Sequence, residues 1–272
     1  ANAPISLSQL TLAKAENITD VNKLFELAEG AVTTTVLDGS FSALEGTELI
    51  TSTNDVVQIS FGSKTSSTGR VTEINKLAAQ SGISNISGTL TDVTASHVGD
   101  LSTSLNSSKS SINFTVQSAL SVEQAVGLLD HTNKSATTVQ YAGGITDSLS
   151  AYVSGSSATT NLEDIVAEDT DVVTTVSGTL TSQSDINDLN VLATAQSGKV
   201  IAAISTAKAN LDGTAATLGT AGTDEITITV TDAATPTLFA TLDSKTASGI
   251  TFAAGFTGAL SEYASGGNTT SA

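Results

Sequence analysis

Apolar positions along this chain recur in two alternating rhythms. Val21, Leu24, Phe25 and Ala28 stand at i, i+3, i+4 and i+7, as do Val122, Ala125, Val126 and Leu129, the spacing that gathers apolar side chains on one helix face. Between such stretches lie runs rich in β-branched residues at 31–36, 56–61, 83–90, 112–116, 137–141, 172–176, 200–204, 226–230 and 250–256, a composition that suits strands. Polar starts such as Thr19-Asp20, Ser121 with Gln124, and Ser184-Asp185 are placed to accept the free amide hydrogens of a first helical turn. Gly30, Gly82, Gly198 and Gly249 fit the left-handed position that ends a helix.

The two rhythms form a repeat. One phrase occurs three times, as Val21-Asn22-Lys23-Leu24, Ile74-Asn75-Lys76-Leu77 and Leu189-Asn190-Val191-Leu192, each running on to a glycine and then a strand-like run. The strand runs recur at about 24 to 34 residues, which leaves room for a turn and one helix. Parallel strands need a crossover of that length. The predicted fold is therefore α/β, a repeat solenoid of about nine helix–strand units with a parallel sheet on one face. The alternative is a set of tandem small β-sandwich domains, because Ile226-Thr227-Ile228-Thr229-Val230 alternates well enough for a two-faced antiparallel sheet. The reading for 1–272 is a single array. The longest spacer, 145–171, contains a small-residue loop from Ser154 to Thr160, and a subdivision near 154–160 fits there.

Composition narrows the picture. With 39% hydrophobic residues but only 4% aromatics, no Trp and no Met, burial must come from many small, similar contacts. The formal charge of -17, with only 10 Lys and Arg, would repel a phosphate backbone, so no nucleic-acid partner is expected. The chain holds no cysteine, hence no disulfide and no thiolate metal site, and no stretch with the length and apolarity of a transmembrane segment. Ser and Thr together make up about 30% of the residues, a bias that points to an extracellular or cell-surface protein. The start at Ala1, without a charged-then-apolar leader, reads as a processed chain or a piece of a longer one.

Candidate chemistry is sparse, and no enzyme activity is expected. His97 and His131 lie far apart without a second His or Cys at ligand spacing; the first reads as a helix flank, the second as a cation near a helix end. Gly143-Gly144 and Gly266-Gly267 lack the Lys and Ser/Thr of a phosphate loop and read as turns. Arg70 is the only arginine. For a metal, calcium is the one candidate: Asp164, Glu168, Asp169 and Asp171, with Glu163, form the densest acidic run, although no calcium-loop motif accompanies it. Otherwise no cofactor is expected. Thr33-Thr34-Thr35, Thr137-Thr138, Thr174-Thr175 and Thr227 with Thr229 read as β-forming residues rather than a matched ice-binding array. Sequons stand at Asn17, Asn85, Asn106, Asn113, Asn133 and Asn268.

Ile74-Asn75-Lys76-Leu77-Ala78-Ala79-Gln80-Ser81-Gly82 followed by Ile83, and Leu189-Asn190-Val191-Leu192-Ala193 running to Gly198 and Val200, resemble the α/β repeats of giant secreted surface proteins of marine cyanobacteria and related phage appendages. The resemblance implies a structural, adhesive or motility role and supplies no catalytic residue. The expected function is thus a non-enzymatic structural repeat protein of a surface layer, filament or appendage. Its partners would be further copies or neighbouring repeats, since the strand-like stretch from Ile5 to Leu12 suggests an open end suited to head-to-tail assembly. The alternative is an adhesin-like module for a glycan or host surface, with Tyr141, Tyr152 and Tyr263 as the aromatic candidates.

Overall fold

Each of the nine β-branched runs carries a strand, and each pairs in parallel within its own sheet. A computed structural model describes residues 4–7, 9–11, 16–28, 30–38, 41, 44, 49, 51–133, 138–211, 223–243, 249–259, 264–265 and 268–269. The chain divides into two compact units, Ala1–Gly143 and Gly144–Ala272.

The first unit runs β1 (Ile5–Ser6), β2 (Leu10–Thr11), α1 (Glu16–Leu27), β3 (Val32–Leu37), β4 (Val56–Thr65), α2 (Thr68–Ala79), β5 (Ile83–Val93), α3 (Ala95–Gly99), β6 (Ser110–Val116), α4 (Val122–Leu129) and β7 (Val139–Gln140). Its sheet has the order β1-β3-β4-β5-β6-β7, with β2 also on β3, and every pair is parallel. The second unit runs β8 (Ile145–Asp147), α5 (Leu149–Tyr152), β9 (Val153–Ser154), β10 (Ser157–Ala158), α6 (Thr160–Glu168), β11 (Thr174–Leu180), α7 (Gln183–Ala195), β12 (Val200–Thr206), α8 (Lys208–Leu211), β13 (Glu225–Val230), α9 (Pro236–Asp243), β14 (Ile250–Phe252), β15 (Ala264–Ser265) and β16 (Asn268–Thr269). Its main sheet, β8-β11-β12-β13-β14, is parallel and again follows chain order. Among the described residues antiparallel pairing is confined to the two-residue ladders β9–β10 and β15–β16. The tandem-sandwich alternative therefore does not hold: the long connections between the main strands make crossovers rather than hairpins.

Alternation along the strands decides which face is buried. Val57, Ile59 and Phe61, then Ile112, Phe114 and Val116, and in the second unit Ile226, Ile228 and Val230 are buried, while Thr33, Gln58, Thr227 and Thr251 on the opposite face are exposed. Against the buried faces lie helices such as α2 on β5 and α7 on β12, contributing Ile74 and Leu77, or Ile186, Leu189 and Leu192, each 0% exposed. A fully buried side chain of this size stabilises by about 1.5–3 kcal/mol, so each unit gains its core from many equal increments.

Several local expectations change. Helix α1 begins at Glu16, so Thr19-Asp20 lies inside its first turns. Helix α7 is capped by Ser182 rather than Ser184, with Asp185 closing a capping box; Ser121 and Gln124 form the expected box on α4. Gly249 has a left-handed φ of 101°, but Gly82 and Gly198 do not, and their glycine has another cause. A Cβ at Gly82 would lie 2.4 Å from the Ser52 carbonyl oxygen, and one at Gly198 only 2.1 Å from that of Val172. Both glycines let the turn before one strand press on the turn before its neighbour. The spacer 145–171 holds β8, α5, β9, β10 and α6, and the expected small-residue loop 154–160 is the β9–β10 hairpin and the entry to α6, with Gly155 (φ 59°) and Ser156 (φ 63°) making its tight turn.

Candidate functional site

Many polar side chains lie where consecutive strands meet and bond to the neighbouring turn or helix. Asp55, just before β4, accepts from the Val32 N–H at 2.9 Å and from the Ser52 N–H at 2.7 Å. Asp224, just before β13, accepts from the Val200 N–H at 2.9 Å. In each case the carboxylate opening one strand satisfies the first amide of the strand before it. Gln80, following α2, accepts from the Thr51 N–H and hydroxyl at 3.0 and 2.9 Å and donates to the Leu49 carbonyl. Gln196 follows α7 in the same Ala-Gln-Ser-Gly phrase and donates to Thr174 Oγ1 at 2.6 Å. Asn75 of the thrice-used phrase donates to the Asp100 carbonyl at 2.7 Å and accepts from the Ser102 N–H at 2.8 Å.

The same logic governs the other ends of the helices. The Ala95 N–H that opens α3 donates to Ser118 Oγ at 2.8 Å, and the Lys208 N–H that opens α8 donates to Asp232 Oδ1 at 2.5 Å. Lys109 Nζ donates to the Ala78 and Gln80 carbonyls at 2.8 and 2.9 Å, setting a cation on the negative end of α2. None of these partners could be found by local pattern, because helix caps are usually sought within the same turn.

The histidines are placed likewise. His97 Nδ1 lies 2.9 Å from Ser66 Oγ and accepts from the Thr94 N–H at 3.4 Å. Because Nδ1 accepts, its hydrogen sits on Nε2. A serine on an imidazole nitrogen is half of a nucleophile–base pair, and sequence pattern does not reveal it because Ser66 is 31 residues away. Ser66, however, is only 8% exposed, and the Nδ1 lone pair is shared with the helix cap. The pair is built to hold α3 on the turn before α2. His131 is buried, its Nδ1 2.5 Å from the Leu105 carbonyl, to which it donates.

The calcium candidates do not converge. Asp164 and Glu168 lie on α6, Asp169 is its C-cap, and Asp171 stands exposed in the following turn. Among the described residues no three His, Asp or Glu side chains gather where they could hold a metal ion. Gly143-Gly144 forms the turn into β8, with Gly144 at φ 73°; Gly266-Gly267 and Tyr263 lie outside the described residues. Tyr141 and Tyr152 are buried, so neither presents a ring for sugar stacking. Tyr141 donates to the Ala125 carbonyl at 3.1 Å. The Tyr152 hydroxyl lies 3.0 Å from both the Ile145 and the Thr175 carbonyl, bridging β8 and β11. Burial, and then the charge of Asp147, push the Tyr152 phenol well above its usual value.

The open sheet faces carry hydroxyls and amides without a matched threonine array. Thr33 pairs with Val56, Thr35 with Gln58 and Thr227 with Ala203; hydroxyl rows such as Ser60, Ser87 and Ser111 in the first sheet and Ser205, Thr229 and Thr251 in the second mix serine with threonine. A depression of about 410 Å3 on the second sheet is lined by Val176, Ile201, Ala202, Ala203, Glu225 and Thr227, and its single carboxylate is held by Lys199 at 2.5 Å. No described helix is long and apolar enough to cross a membrane. No protein-family model, curated protein or solved structure matches the chain.

Proposed function

We propose that this chain is a non-enzymatic structural module of an extracellular surface layer, filament or appendage, built as an α/β solenoid of about nine helix–strand units that stack head to tail. The reach of its polar contacts carries the reading. Among the described residues, many side-chain hydrogen bonds between different elements span 22 to 31 residues, as in Gln196 to Thr174, Ala95 to Ser118 and Ser66 to His97, beside shorter ones such as Tyr152 to Ile145. The longer reach is one strand-to-strand interval, as expected where each repeat contacts its neighbours in sequence. Such a stack extends by adding units, which suits a scaffold. The side chains that elsewhere do chemistry, His97, Asp55 and Asp224, are engaged in joining one layer to the next.

Sedimentation and electron microscopy of the purified chain over a wide concentration range test the assembly, with linear oligomers that lengthen with concentration as the expected result. A monodisperse monomer throughout would overturn it. Antibody labelling of intact source cells tests the location, and label appearing only after lysis would remove the extracellular reading.

A further inference from the structure

Six sequons stand in the sequence, and the structure separates them. N-glycosylation needs an accessible side-chain amide and a hydroxyl two residues on that can meet it. Asn17 lies on α1, where positions i and i+2 do not face each other. Asn85 sits in β5 between β4 and β6; its Oδ1 accepts from Ser111 Oγ at 3.0 Å, and the Ser87 hydroxyl donates elsewhere, to the Ile59 carbonyl at 3.1 Å. Asn113 sits in β6 between β5 and β7, and its Oδ1 accepts from the Thr138 N–H at 2.9 Å. The residues completing the sequons of Asn133 and Asn268 lie outside the described residues.

Asn106 differs in its place, its exposure and its bond to the hydroxyl of its own sequon. It stands in the turn between α3 and β6, and Asn106, Ser107 and Ser108 are all exposed. The Ser108 hydroxyl donates to Asn106 Oδ1 at 2.6 Å, and the Ser108 N–H donates to the same oxygen at 3.1 Å. Both bonds fall on the carbonyl end of the amide, so they hold the group without engaging Nδ2. The turn itself is fixed, because the Lys109 and Ser110 N–H groups both donate to the Asn106 carbonyl at 2.9 Å. We infer that Asn106 is an N-glycan acceptor of the folded chain, taking an oligosaccharide from a polyprenyl-pyrophosphate donor. A bond forms between Nδ2 and the anomeric carbon, the anomeric carbon–oxygen bond breaks, the lipid pyrophosphate leaves, and one Nδ2 proton is lost. Use of the site by the source organism rests on the extracellular reading; its competence as an acceptor does not.

The test incubates the folded full-length chain with solubilised oligosaccharyltransferase and lipid-linked oligosaccharide, beside synthetic peptides spanning the Asn85, Asn106 and Asn113 sequons. Glycopeptide mass spectrometry is expected to find all three peptides modified but, of these sites in the folded chain, Asn106 alone. N106Q and S108A, with unchanged circular dichroism, should lose the glycan, and S108T should keep it. Glycan on Asn85 or Asn113 of the folded chain, none on Asn106, or retention in S108A would each overturn the inference. Because the assay involves no cell, its failure would leave the extracellular reading standing, and failed surface labelling would leave the acceptor chemistry standing.

Discussion

The two units repeat one succession of elements. After a first strand pair, β3–β4 or β8–β11, each continues with a helix of 12 or 13 residues, a strand, a helix of 5 or 4, a strand, a helix of 8, and a short strand that ends its main sheet. Asn75 matches Asn190, Gln80 matches Gln196, Gly82 matches Gly198, and Ser118 matches Asp232 in capping the short helix. Most else differs. The open face of the first unit is crossed by amide contacts such as Ser111 to Asn85 and Thr138 to Asn113, whereas the second presents Ile201, Ala203 and threonines. The second also carries the hairpin β9–β10 between its first two paired strands. What the units share is therefore the apparatus that sets one layer on the next, and what varies is the surface.

If that reading is right, the shared glycines should matter most. Gly198→Ala would set a Cβ 2.1 Å from a backbone oxygen, and Gly82→Ala one 2.4 Å from another. Backbone cannot swing aside as a side-chain tip can, so each should cost about 3 kcal/mol. Gly127→Ala is the control: it lies within α4, and a Cβ there would meet nothing within 4 Å, so it should stabilise by about 0.5–1 kcal/mol. Urea denaturation of the three variants checks this, and equal effects would dissolve the distinction.

This apparatus is only half legible in the sequence. The strand runs are visible because β-branched residues cluster there, and helices such as α4 because their apolar positions keep a helical period. The short β8 is not, since Ile145-Thr146-Asp147 is too brief to form a pattern and is a strand only by pairing with β11. Pattern picks out the glycines at the right positions for the wrong reason: their constraint comes from Ser52 and Val172 in the neighbouring layer. Ser118 and Asp232 give no local signal as caps, because the helices they cap begin 23 and 24 residues earlier. Local periodicity reveals elements, but contacts between layers depend on a register that periodicity does not encode.

In the second unit, β8 is held to β11 by strand pairing and by one tyrosine. Tyr152 is 0% exposed and its one hydroxyl proton serves the carbonyls of Ile145 and Thr175. Tyr152→Phe should cost the second unit about 1.5–2 kcal/mol by leaving those oxygens without their donor. Its folded-state pKa is raised, so its contribution is intact below the unfolded tyrosine value of about 10 and is lost as pH rises toward the folded value. Melting curves across the alkaline range should show a decline in the second unit that Tyr152→Phe diminishes. A smaller effect is expected at the short helices. Ser118→Ala and Asp232→Ala each remove the cap of a helix one layer away and should cost about 1 kcal/mol. Faster amide exchange at Ala95 or Lys208, rather than at residue 118 or 232, would show that the cap acts across the layer.

The smallest effect separates the two long helices. In α7 partial burial of Asp185 works against its ionisation, but hydrogen bonds from the Thr181 and Ser182 N–H groups and the Ser182 hydroxyl outweigh it and hold the carboxyl below its usual range. A lowered folded-state pKa means the stabilisation is fully present above the unfolded Asp value of about 3.9 and fades as pH falls through the folded one. Asp185 is largely solvent-screened, so the change should stay below about 1 kcal/mol. The matching α2 has Ser67 as its N-cap and Arg70 at the position of Asp185, with no acidic residue in its first turn. Acidification should therefore loosen the start of α7 while leaving α2 unmoved. Hydrogen exchange at the first-turn amides of both helices, corrected for intrinsic rates, measures the contrast, and Asp185→Asn should abolish it by keeping an acceptor while removing the charge that titrates.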